Sequence, residues 1–292
     1  MKYFFDTEFL EGIQERPLFL KGRLGNLMIG YPKPTIDLIG IGIVAEDGRE
    51  YYAISKDFNL KEAWNRWQQR TGEGDRNIQD PRLYWLRENV LFPIFKEFLD
   101  LEVEYLDKQR RIIGFAPALN ADFNHSNFKR LLNKYGKSNK QIAEEVKKFC
   151  QDEVFVFKQD EKLVYAIDPV RGNPEFYAYY ADYDWVVFCW LFGEMMDLPK
   201  GFPMYCKDLK QILDEKINAL NWNYGRDCWS NSKRSISTIG KGDSQEKDRP
   251  ATFEEKLITI KKLIEYPKQE NEHNAIADAR WNRKLHEFLI SI

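Results

Sequence analysis

Tyr3-Phe4-Phe5-Asp6-Thr7-Glu8-Phe9 is the stretch on which the reading of this 292-residue chain turns. Lys2 to Phe5 is a short β-rich run, and carboxylates follow it at positions 6 and 8. Residues two apart on extended chain point to the same side, so Asp6 and Glu8 can converge on one cation. The pair alone is weak. Acidic residues fill 46 of the 292 positions, so a D-x-E match arises by chance and usually marks a solvated strand end. Its weight depends on what lies downstream.

Working outward, Ile36 to Ala45 is a second β-rich run, and Glu46-Asp47-Gly48 turns it into Glu50 to Ser55. That pattern predicts an antiparallel three-stranded start. Gly12 to Pro34, rich in Gly and Pro and without a steady period, is expected to be a loop long enough to act as a lid. From Leu83 the positions Leu86, Val90, Ile94, Phe98 and Leu101 recur at helical spacing, with Pro93 predicting a kink or break. Between about Glu104 and Asn173 the pattern mixes a strand (Ile112 to Phe115), two helices (near Asn127 to Lys134 and Gln141 to Phe149) and a hairpin with arms Val154 to Lys158 and Leu163 to Ile167. It reads as an inserted subdomain.

Phe176 to Ala181 is a predicted strand, and Trp185 to Met196, apolar nearly all round, is a predicted buried helix. Leu209, Ile212, Leu213, Ile217 and Leu220 mark an amphipathic helix. The polar, Ser/Gly/Lys/Asp-rich stretch from about Asn223 to Pro250 is expected to be a mobile loop with a slight positive excess. The chain therefore reads as a single domain over 1–292, interrupted by an insertion at about 104–173 and loops at about 10–35 and 223–250.

The last helix, roughly Ala275 to Leu289, buries Trp281, Leu285, Phe288 and Leu289 on one stripe, and Asp278 shares that stripe. A carboxylate on an apolar face costs several kcal/mol unless paired or metal-bound. His273 precedes Asp278 by five residues, or 500° of ideal helix, so it belongs to the loop before the helix. Asp184 sits between the late strand and its helix, where the helix dipole favours an anion and an N-cap role is the plain alternative. Asp182 competes with it in the same turn, and Asp122 with His125 offers a second decoy pair.

In order along the chain, D-x-E after a first strand, an aromatic-Asp pair after a late strand and H-x4-D near the C-terminus resemble the three motifs of the DEDDh exonucleases. The segments Tyr3 to Phe9, Val44 to Ala53, Tyr183-Asp184, Cys189 to Pro199 and His273 to Arg280 look most like the RNase AS type of bacterial 3′-5′ exoribonuclease. That resemblance implies an α/β, RNase H-like mixed sheet flanked by helices. It assigns Asp6, Glu8, Asp184 and Asp278 as catalytic metal ligands, and His273 as general base. It prefers Asp184 to Asp182. It implies two divalent ions, Mg²⁺ or Mn²⁺, and a single-stranded RNA 3′ end as partner, adenylate-rich ends included. It also points to a homodimer. A DNA exonuclease and a catalytically silent nucleic-acid-binding module are the alternatives. Oxygen ligands independently favour hard cations over zinc.

Composition bounds the rest. Forty-four basic residues against 46 acidic ones give a formal net charge of -2, so any polyanion must be held locally. The longest apolar run, Trp185 to Phe192, falls well short of the roughly 20 residues that span a bilayer. Asp6 and Glu8 stand where a signal peptide needs its apolar segment, so a cytoplasmic protein is expected. Cys150, Cys189, Cys206 and Cys228 are too widely spaced for a zinc site or a disulfide scaffold.

Overall fold

The computed structural model describes residues 1–13, 19–22, 25–28, 34–69, 82–108, 122–151, 155–159, 162–166, 173–219 and 266–291. Its strands are β1 (Lys2–Ile13), β2 (Phe19–Gly22), β3 (Gly25–Met28), β4 (Pro34–Ala45), β5 (Glu50–Ile54), β6 (Gln68–Gln69), β7 (Arg82–Leu83), β8 (Phe155–Gln159), β9 (Lys162–Ala166), β10 (Glu175–Ala178) and β11 (Lys207–Asp208). Its α-helices are α1 (Leu60–Asn65), α2 (Phe92–Lys108), α3 (His125–Tyr135), α4 (Asn139–Gln151), α5 (Ala181–Phe192), α6 (Leu209–Ala219) and α7 (Ala275–Ser291).

Five strands form the central sheet in the order β11-β10-β1-β4-β5. β11, β10 and β1 run parallel, whereas β4 is antiparallel to both of its neighbours. The result is a mixed α/β fold, compatible with the RNase H-like expectation. Alternation along β1 sorts the layers. Tyr3 and Phe5 face a core with Ile142 and Val146 of α4 and Val187 and Phe188 of α5. Phe4 faces the opposite core, made by Leu213 of α6 and Trp281, Leu285 and Phe288 of α7. α2 and α3 close a third core over Leu10, Ile39 and Ile54.

The structure corrects several expectations. β1 does not stop at Phe5 but runs through Asp6 and Glu8 to Ile13, because β4 pairs with it along the whole length. Gly12 to Pro34 is not simply a loop: β1 ends and β4 begins within it, and β2 pairs with β3 as a hairpin between them. The Gly and Pro content there masks two four-residue runs. Pro93 does not end the helical run, which continues from 85 to 108. A π-helical turn, Arg87–Leu91, precedes it, and the Phe92 N–H reaches back five residues to the Arg87 carbonyl, so the hydrogen-bond ladder is already displaced from the α pattern where the proline lacks its N–H.

Ala181 opens α5 rather than closing a strand, since the chain turns at Tyr179 and Tyr180. α5 ends at Phe192, with a separate 3₁₀ turn over Met195–Asp197, and it is not buried all round: Trp190 and Val186 face outward. Leu101 is exposed, because α2 outruns the core that its first turns cover. Ser55 is an isolated bridge to Lys137 rather than strand. The predicted strand Ile112 to Phe115, Leu220 and the 223–250 segment lie outside the described residues. Among the described residues no helix is long and apolar enough to cross a membrane, and no disulfide is formed.

Candidate active site

The two faces of the sheet meet at one point on β1. β10 pairs with β1 only as far as Phe4 opposite Tyr177, and beyond Ala178 the chain turns away into α5. That leaves Thr7 without a strand neighbour on that edge. Asp184, in the first turn of α5, takes the place: its Oδ1 accepts both the Thr7 N–H (2.9 Å) and the Thr7 hydroxyl (2.5 Å). Asp184 is therefore not the N-cap; that position belongs to Tyr180, in the left-handed region at φ 57°. Asp182 is exposed on the outer side of the same turn.

On the other face α7 comes down onto β4 beside Asp6. Asp6 pairs with Gly42, and a β-carbon on Gly42 would lie 2.4 Å from the backbone of Ala275 and Ile276. Only glycine permits this approach, which delivers Asp278 to the β1 carboxylates. Immediately after Glu8 the register slips, with Glu8 opposite Gly40 and Phe9 opposite Leu38, leaving Ile39 as the extra residue of a β-bulge. Bulges of this kind re-aim side chains beside functional sites.

Asp6, Glu8 and Asp278 each bring an oxygen within 4.8 Å of the other two. Asp184 stands beside this trio rather than in it. The four acids line the floor of a cavity of about 570 Å³, whose walls include Phe9, Leu10, Trp85, Leu86, Tyr179 and Trp281. Burial, then the neighbouring carboxylates, push Asp6 well above its ordinary range and Glu8 up to about 8. Asp184 rises to about 6 through burial, against the two bonds from Thr7. Asp278 is also raised by burial, against hydrogen bonds from Gln269 and the His273 backbone.

His273 lies in the turn before α7, as its offset from Asp278 requires, at φ 67°. Its N–H donates to Asp278 Oδ2 (2.9 Å), its ring meets the Trp85 ring edge-on at 4.6 Å, and it lines the cavity. Gln269 Nε2 donates to the other Asp278 oxygen (2.7 Å). Asn282, one turn beyond Asp278, donates through Nδ2 to the Phe5 carbonyl (2.9 Å). The decoys lie elsewhere: His125 packs on Trp64, and Asp122 is exposed.

The donor set fits a hard divalent cation. Its atoms are carboxylate oxygens, and among the described residues no lysine or arginine neutralises Asp6, Glu8 or Asp278. Asn282 Oδ1 is buried beside them without a hydrogen-bond partner among the described residues, an acceptor that they leave unsatisfied. Thr7, Gln269, Trp85 and Asn282 carry no signal in sequence. Uncharged or aromatic, they acquire meaning only through neighbours far away along the chain.

The arrangement defines a carboxylate centre with a histidine at its rim, built on the central strand of a mixed sheet. A 3′-5′ exoribonuclease of Mycobacterium tuberculosis strain H37Rv is 25% identical over 216 residues, covering 74% of this chain and 76% of the relative. Its counterpart in strain CDC 1551 / Oshkosh matches to the same extent. No family model matches the chain.

Proposed function

We propose that this chain is a metal-dependent 3′-5′ exoribonuclease of the DEDDh type that shortens single-stranded RNA to nucleoside 5′-monophosphates. The observation that carries the reading is the convergence of Asp6, Glu8 and Asp278 within 4.8 Å at the floor of an aromatic-walled cavity. The distant exoribonuclease relatives support the reaction class.

In this reading Asp6, Glu8, Asp184 and Asp278 hold Mg²⁺ or Mn²⁺, two ions in all. Such ions, when bound, polarise the phosphoryl oxygen and acidify the attacking water. The protein's own share follows from its geometry. Thr7 fixes Asp184 through two hydrogen bonds, and Gln269 with the His273 N–H fixes Asp278, so the carboxylates need little reorganisation. His273 accepts the proton of the attacking water; imidazole ordinarily ionises closest to neutrality of all side chains. Attack on phosphorus breaks the bond to the upstream 3′ oxygen, leaving a shortened chain and a 5′-monophosphate. Phe9, Leu10, Trp85 and Leu86 supply apolar walls for the terminal base. Adenylate-rich 3′ ends and a homodimer belong to the same proposal, as does a cytoplasmic site of action.

The test is a time course on matched 5′-labelled RNA and DNA oligonucleotides ending in A or C, in Mg²⁺ and in EDTA, with a circular RNA control. Stepwise 3′ shortening of the RNA in Mg²⁺ alone is expected. Faster degradation of DNA points to a DNA exonuclease, cleavage of the circle to an endonuclease, and inertness on every substrate to a binding module.

A further inference from the structure

The His273 turn is held from outside the cavity. Both Asn271 (φ 55°) and His273 (φ 67°) adopt left-handed backbone, which persists only where the surroundings over-determine it. From within, Asn274 caps α7: its Oδ1 accepts the Ala277 N–H (3.1 Å), and its carbonyl accepts the Asp278 N–H (2.9 Å). The cap's amide nitrogen is then gripped by α2, donating to Glu97 Oε1 at 2.6 Å, while Glu97 Oε2 accepts the Tyr52 hydroxyl of β5 at 2.8 Å. The segment entering α2 supplies the second grip, the Trp85 ring against that of His273. Glu97 is not among the cavity-lining residues, so it does not meet the substrate.

We propose that Glu97 is the positioning residue for His273, tying the histidine turn to α2 and β5 through Asn274 and Tyr52. The proposal rests on the reading of His273 as proton acceptor. A carboxylate suits the place because both of its neighbours donate. Glutamine can replace it, accepting from Asn274 through Oε1 and donating to the Tyr52 oxygen through Nε2, since a hydroxyl also accepts. Alanine severs the link and frees the turn.

The chain holds three histidines, His125, His273 and His286, so selective ¹⁵N labelling of the full chain gives a spectrum simple enough to assign by single replacements. In Glu97→Ala the ring signals of His273 are expected to move by more than a linewidth while those of His125 and His286 hold. The Mg²⁺-dependent rise in Tm stays. kcat on 5′-labelled RNA falls about 10- to 100-fold with KM nearly unchanged, the cost of a misplaced catalytic group. Glu97→Gln restores both the signals and kcat. Unmoved His273 signals in Glu97→Ala overturn the proposal, as does joint movement of all three histidines, which marks a general loss of packing. Glu97→Met, which keeps the side-chain volume but not the link, repeats the test should the alanine variant not fold. The ring signals need no nuclease activity, so a wild-type chain that leaves RNA intact sinks the functional reading and leaves this one to be decided by the spectra.

Discussion

Asp6, Glu8, Asp184 and Asp278 are costly to ionise together, and the sign of that cost is measurable. Each has its folded pKa raised, so each contributes stability that is present at low pH and lost as pH rises from the ordinary carboxylate value through the folded one. For Asp184 the window closes near 6 and for Glu8 near 8. In EDTA, Tm should therefore fall by several degrees between pH 5 and pH 8. Saturating Mg²⁺ favours the charged forms and should flatten the slope, so the metal-induced rise grows with pH. Glu8→Gln should raise Tm in EDTA at pH 8 and shrink the response to Mg²⁺. A Tm in EDTA that climbs over this interval would contradict the burial argument. At this scale, although only the family resemblance joined the three, Asp6 and Glu8 on one strand side and Asp278 on an apolar helical stripe were legible as candidates for a counter-charge. Gln269 and Asn282 were not, since an amide costs little wherever it lies until its partners are known.

Among the elements, the contact between α7 and β4 decides whether those residues meet. Gly42 faces Ala275 with no room for a β-carbon, whereas the tight contact of a β-carbon on Gly40 would be with the flexible end of Ile54, at 3.1 Å, the Ala53 carbonyl and the Glu8 β-carbon lying at ordinary contact distance. Gly42→Ala must push α7 off the sheet, and with it Asp278 away from Asp6. The expected cost is about 1–3 kcal/mol, the usual range for overpacking, read as a lower urea midpoint, with the Mg²⁺ response reduced as well. Gly40→Ala should cost clearly less and keep that response. Equal midpoints for the two would show that α7 is free to shift. Here the sequence told less. Alternation revealed β4 and β5, and spacing revealed α6 and α7, because each pattern is local. The extension of β1 past Phe5 depends on pairing with β4, and the close approach at Gly42 depends on a helix more than 230 positions away. Neither leaves a periodic trace.

For the molecule as a whole, although the family resemblance implied the mixed α/β sheet, it was the main strands and helices that were legible from local pattern. How a chain of net charge -2 grips a polyanion was not. The structure narrows the choice. Among the described residues the cavity floor is acidic, its walls include aromatic and aliphatic side chains, and the one arginine that lines it, Arg66, is already spent on the carbonyls of Glu11 and Ile13. RNA binding under the proposed function must then run through divalent ions and base contacts, with few direct phosphate pairs. Each neutralised phosphate on a single strand contributes about -0.7 to the slope of log K against log salt. His273→Ala, which leaves the carboxylates in place while slowing turnover, is the variant in which to measure binding. Anisotropy of a 5′-labelled RNA in Mg²⁺ at increasing KCl should give a slope no steeper than about -3, the equivalent of about four phosphates. EDTA should weaken binding at least about tenfold, more than 1.4 kcal/mol. A slope of about -5 or steeper that survives EDTA would mean that a basic track carries the affinity. The carboxylate centre would then serve only the chemistry.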